Sequence, residues 1–200
     1  MHDPTPPFSP RLAPPGAGVP AIERILGGFA LSPHRRLGTP ARTSGKFERE
    51  RRAIAALCVG RGDGTLSARV LIPRLPGLED SSRFWSVWMT LDHLRIVNDA
   101  IARTIGELTL NRTPEGTAST AAVKPSDHVG GEVVAAYESS CDTLATRFVS
   151  GVDLRTSLRH AHPWFGPLDA AGWCALSAMH MGIHREQIAR ILREAPRGAA

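Results

Sequence analysis

The sequence lacks what several large protein classes require. Its three cysteines, Cys58, Cys141 and Cys174, are odd in number and have no close paired spacing. A disulfide scaffold, a zinc knuckle and a dithiol redox motif are therefore all unsupported, and reduced thiols are expected. No stretch approaches the roughly 20 consecutive apolar residues that cross a bilayer, and prolines stand where a signal peptide would carry its apolar core. The expectation is a soluble, cytoplasmic protein with no membrane association. Internal repeats are missing as well, and no convincing strand alternation is present, which disfavours solenoids and all-β folds.

A further absence concerns charge. The net charge is +5, yet residues 62–200 hold fourteen Lys/Arg against fifteen Asp/Glu. The basic excess lies in residues 1–61, with ten against four, and it carries neither interleaved aromatics nor a nucleic-acid reader motif. A solvated basic segment is the expectation, with no nucleic acid as partner.

What is present is 200 residues with 42% apolar content, enough for one domain with a real core. Residues 1–45 hold nine of the sixteen prolines, with glycines between them, and are expected to form a mostly irregular basic extension. Residues 46–195 read as a helical bundle. A first helix spans Lys46 to about Val59, with Phe47, Ile54, Leu57 and Cys58 as its stripe and Gly60 and Gly62 beyond it. The run from Arg69 to Gly77 is too broken by proline for a helix and reads as an extended connection across the bundle.

A long second helix is expected from the capping residues Asp80–Ser82 to about Leu110. Its apolar face runs through Phe84, Val87, Trp88, Leu91, Leu94, Ile101, Ile105 and Leu108, while Asp92, Arg95, Asp99, Arg103 and Glu107 occupy the opposite, wet arc. A third helix fits Glu132 to Val149, closed by Gly151. A fourth is capped by Asp169, with Leu168 packing on Trp173, and runs to about Glu194. The fold class is all-α, a four-helix bundle.

The chemistry lies in the histidines. His180 and His184 are one helical turn apart, so their imidazoles leave the same side with Cβ atoms roughly 6 Å apart. Trp173, Leu176, Gln187 and Ile191 share that side, which makes it the buried face. A lone inward histidine is most often an ordinary core residue. Two adjacent ones would each need partners, and charging either would be costly, so the pair reads as a metal chelate. His93, at the border of the second helix's apolar face, is placed to supply a third nitrogen from a facing helix. Three histidines with open positions suit zinc or nickel. The segment from Met179 to His184 lacks the glutamate that follows the first histidine in zinc peptidases, and Asp92 and Glu186 point away, so no built-in base is evident.

Gln187, one turn beyond His184, is a candidate to orient a ligand or touch substrate. His162, before the last helix, is a candidate for a supporting role at the pocket mouth, although Pro163, Gly166 and Pro167 favour a structural turn. Trp88 and Trp173 read as core, and Cys174 falls too far around the helix to reach the metal. Arg155, Arg159 and Lys124 could meet the carboxylates of a peptide-like thiol, with solvated loop charges as the default reading. His2, His34, His128 and His160 lack ligand spacing.

Three stretches together resemble DinB/YfiT-like proteins: Trp85 to Leu94 (WSVWMTLDHL), His162 to Leu168 (HPWFGPL), and Trp173 followed by His180-x3-His184-x2-Gln187. The resemblance covers about Lys46 to Glu194. It implies a four-helix bundle, often a homodimer, with zinc or nickel on His93, His180 and His184. It also implies relatives among transferases and isomerases that use a low-molecular-weight thiol such as bacillithiol, mycothiol or glutathione. A metal-bound thiol is acidified, so thiol transfer to a small-molecule substrate fits a site without a protein base. A metal-dependent hydrolase and a non-catalytic metal-binding or stress-related module are the alternatives.

Overall fold

In the computed structural model, which describes residues 9–37, 39–149 and 151–195, the chain forms six helices and two short antiparallel strand pairs. The helices are α1 (Ala21–Leu37), α2 (Pro40–Cys58), α3 (Asp63–Ser67), α4 (Val87–Thr109), α5 (Val133–Val149) and α6 (Ala170–Glu194). Four of them make the bundle: α2 and α4 each pack against both α5 and α6, which places α2 and α4 at opposite corners. The core between them includes Phe47 and Ile54 of α2, Leu94 and Ile105 of α4, Tyr137 and Leu144 of α5, and Met181 and Ile188 of α6, all essentially without exposure. No helix among the described residues is long and apolar enough to cross a membrane.

Both expected ends hold, to within a residue, on two of the four bundle helices, α5 and α6. Asp169 caps α6, its Oδ1 accepting the Gly172 N–H at 2.8 Å, and Leu168 and Trp173 are both buried beside it. α4 begins later than its sequence suggests. Phe84 and Trp85 form strand β2, paired with β1 (Val70–Leu71), and Asp80–Ser82 make a single 3-10 turn. The true cap is Ser86, whose Oγ accepts the Met89 N–H at 3.1 Å. Aromatic residues suit a short strand as readily as a helix, so Phe84 and Trp85 follow their pairing partner instead of the helical period.

The reading of residues 1–45 as mostly irregular is corrected. α1 occupies Ala21–Leu37 and packs against α6, and α2 starts at Pro40, six residues before the expected Lys46. Two of the prolines here, Pro20 and Pro40, mark helix starts. The Pro20 carbonyl accepts the first turn of α1, and Pro40 sits in the first turn of α2 behind the Thr39 cap. Proline has no N–H to lose there, and its φ is already helical. Residues 1–8 of the extension, His2 among them, lie outside the described residues.

Between α5 and α6 a second antiparallel pair, β3 (His160–His162) and β4 (Gly166–Leu168), forms a hairpin in register His160 to Leu168. Its tip, Pro163 to Phe165, is the structural turn that the prolines and glycine suggest.

Candidate metal centre

His93 sits in the second turn of α4, and its placement follows from the Ser86 cap and from the burial of Val87, Leu91 and Leu94 on the same helix. His180 and His184 stand one turn apart on α6, facing α4. Their three Nε2 atoms converge: His93 Nε2 lies 3.1 Å from His180 Nε2, which lies 3.0 Å from His184 Nε2. One nitrogen from each of the three falls within 4.8 Å of the others. Edges of this length match imidazole nitrogens about 2.0–2.1 Å from one small divalent ion.

The surrounding hydrogen bonds fix where the protons are. His93 Nδ1 is 2.6 Å from the Val123 carbonyl, which can only accept, so Nδ1 carries the hydrogen and Nε2 the lone pair. Gln187 Nε2 donates to the Ser82 carbonyl at 2.7 Å, which turns its Oε1 toward His184 Nδ1 at 2.6 Å. His184 therefore also presents a lone pair at Nε2. His180 Nε2 faces both lone pairs and has one proton at most, while its own Nδ1 is buried without a partner. No distribution of protons over three neutral rings satisfies this arrangement; a cation among the Nε2 atoms satisfies all three lone pairs at once. The donor set fits a divalent metal.

Protonation is an unfavourable substitute for that cation. Burial pushes His93 down to about 4, against the opposing pull of the Val123 carbonyl, Asp92 and Glu79. His180 falls well below its ordinary range through burial and then through the neighbouring His184, His93 and His162. His184 falls likewise through burial and His93, with Gln187 opposing. Three imidazoles kept neutral in one place are three potential ligands.

Trp85 is the partner of this centre that sequence reasoning missed. Its indole is 5.1 Å from the His93 ring and lies nearly parallel to the His184 ring at 6.3 Å, so it backs both imidazoles. The strand pairing with Val70–Leu71 that holds it in place has no sequence signal at two residues' length. Asp92, expected on the wet arc, is buried. Its Oδ2 accepts the Ser126 N–H at 2.9 Å and its Oδ1 pairs with Arg95. This anchors the connection that carries Val123, so Asp92 supports His93 from behind without reaching the metal position.

Above the three nitrogens opens a cavity of about 1190 Å³, walled largely by aromatic and aliphatic side chains that include Trp85, Trp164, Phe165, Trp173 and Ile183. His162 lines it. The Trp164 N–H donates to His162 Nδ1 at 3.1 Å, the ring stacks on Phe165, and burial pushes its pKa down to about 4. Neutral His162 thus carries its hydrogen on Nε2. Gln187 is completely buried and orients His184. Lys124 lies at the cavity wall, whereas Arg155 and Arg159 are exposed and do not line it. Trp88 donates to Asp63 and packs in the core. Burial raises the thiols of Cys141 and Cys174 to about 12, which leaves both unreactive.

No protein-family model and no curated protein matches the chain. Among solved structures it is similar to the crystal structure of TT2238, a four-helix bundle protein, at 23% sequence identity and a TM-score of 0.55, over 76% of this chain and 98% of that one. At that identity the likeness speaks for the helical-bundle fold.

Proposed function

We propose that this chain is a DinB/YfiT-like metalloprotein that holds one zinc or nickel ion on His93, His180 and His184 and uses it to activate a low-molecular-weight thiol for transfer or isomerisation. The observation that carries the reading is the convergence of three Nε2 lone pairs, two of them fixed by hydrogen bonds at the opposite ring nitrogen, on the floor of an apolar cavity. A divalent ion there lowers the pKa of a bound thiol and supplies a thiolate nucleophile at neutral pH without a protein base.

The chain's own residues supply the remainder. Val123 and Gln187 hold the ligand rings, Trp85 excludes water from behind them, and neutral His162 offers an Nε2–H to an anionic group in the cavity. Hydrolysis is the second reading, and one observation weighs against it. Glu79, the buried carboxylate on the cavity wall, already accepts two backbone N–H groups and the Ser81 hydroxyl, and is not free to serve a water. From the same resemblance we propose a cytoplasmic homodimer.

The test is metal content by plasma mass spectrometry on untagged protein, beside the His180→Ala/His184→Ala double variant. The expected result is about one zinc or nickel per chain in the parent and none in the variant, with the helical circular dichroism retained. Metal-dependent conjugation of a model electrophile to a thiol then follows. Release of product from esters without thiol would favour the hydrolase. Absence of metal after reconstitution would overturn the proposal and leave a non-catalytic bundle.

A further inference from the structure

The segment from Ala13 to Gly27 precedes every residue that carries the family resemblance, and it is fastened along the cavity that opens on the three histidines. The Gly16 and Gly18 N–H groups both donate to the Glu79 carboxylate, at 3.2 and 3.1 Å, and the Ala13 N–H donates to Asp80 at 2.7 Å. Gly16 and Gly18 have φ of +82° and +81°, the left-handed backbone that turns two nearby amides onto one anion. Farther on, Glu23 pairs with Arg74 and accepts the Gly77 N–H at 2.9 Å. These are specific fastenings of a segment whose larger apolar side chains, Val19 apart, are mostly exposed.

The segment also fits closely between two loops. A Cβ at Gly16 would lie 3.2 Å from the Ala121 Cβ, beside the Val123 that orients His93; one at Gly18 would lie 3.7 Å from Trp164 Nε1 on the hairpin; one at Gly27 would lie 2.9 Å from the Phe165 ring. Pro15, Val19, Leu26 and Gly27 consequently become a wall of the cavity that opens on the histidines. Leu26 lines that space and is 59% exposed, so a large apolar side chain stands at the cavity mouth where a ligand could cover it. Two charge pairs of the cavity wall are engaged with each other, Glu23 with Arg74 and Arg112 with Glu107, while Arg103, Glu115 and Lys124 line it elsewhere.

From this arrangement we infer that the Ala13–Gly27 segment is a ligand-binding wall, which makes the cavity selective for thiols that carry an extended apolar body, the sulfur at the three histidines and the body along Val19, Leu26 and Phe165. The inference rests on the thiol reading above and names the class of thiol. A half-open cavity of about 1190 Å³ is larger than a small polar thiol fills and leaves room for an extended ligand body.

The experiment uses the full chain loaded with cobalt(II) and titrated with ethanethiol and with 1-hexanethiol, following the thiolate-to-cobalt charge-transfer band. The two thiols have the same acidity, so the ratio of their Kd values reads burial of the four additional methylenes. The expected ratio is roughly 100-fold in favour of hexanethiol. Leu26→Asp, on a side chain exposed in the folded protein, reduces the ratio to about tenfold or less by placing a charge in the wall. Glu79→Gln reduces it in the same direction by loosening the hold on Gly16 and Gly18. Equal Kd values for the two thiols in the parent, or an unchanged ratio in both variants, would overturn the inference while leaving the thiol reading in place. Bound cobalt with no charge-transfer band from either thiol would overturn the thiol reading itself, and this inference with it.

Discussion

Gln187 shows how much a single buried amide decides. It has no exposure, and both ends of its side chain are used, one on the Ser82 carbonyl and one on His184 Nδ1. Replacing it by leucine keeps the volume but leaves a carbonyl without its donor and a ring nitrogen free to take either tautomer. Gln187→Leu is expected to weaken zinc binding by about 10–100-fold, measured by competition with a chelating dye, because the His184 lone pair is no longer committed to Nε2. Its spacing from His184 made Gln187 legible in the sequence. Trp85 and Val123 were not, since one acts through a two-residue strand and the other through a backbone carbonyl, and a backbone carbonyl has no residue-type signature.

Among the elements, α4 depends most on its first turn. Ser86 is buried and accepts the Met89 N–H, and its carbonyl accepts from both Thr90 N–H and the Thr90 hydroxyl. Ser86→Ala removes the side-chain cap at a cost of about 1 kcal/mol, seen as a lower urea midpoint at unchanged m-value. Because His93 lies in the next turn, fraying at this end is also expected to weaken metal binding, whereas an equivalent loss at the far end of α4 would not. The α4 face was legible from its period, and its start was not: Asp80, Ser81, Ser82 and Ser86 all have capping oxygens. The choice fell to Ser86 because Phe84 and Trp85 pair with Val70 and Leu71.

At the scale of the whole molecule, the buried histidines tie stability to pH. In the unfolded chain histidine titrates near about 6.5, while burial holds His93 and His162 at about 4 in the folded protein and keeps His180 and His184 lower than normal. Below about pH 6.5 the unfolded chain takes up protons that the folded chain refuses. The contribution is therefore present above that pH and is lost progressively as pH falls toward about 4. The metal-free protein should lose several kcal/mol of unfolding free energy between about pH 7 and pH 4.5, read as a falling urea midpoint, and His162→Phe should make the decline shallower. A flat profile in the parent would contradict the burial of these rings.

The bundle and the pairing of His180 with His184 on one face were determined largely by local sequence. The period of apolar residues set the faces of α2, α4, α5 and α6, the i, i+4 spacing put His180 and His184 on one of them, and capping oxygens placed the start of α6. These features depend on neighbours within a turn or two, which a sequence displays directly. Tertiary structure decided the rest: that α4 brings His93 to His180, that Asp92 is buried to brace the Val123 loop, and that a proline-rich segment becomes a helix and a cavity wall. Each of these joins residues more than thirty positions apart, through a backbone carbonyl, a loop amide or a pair of glycine amides whose partners no local pattern specifies.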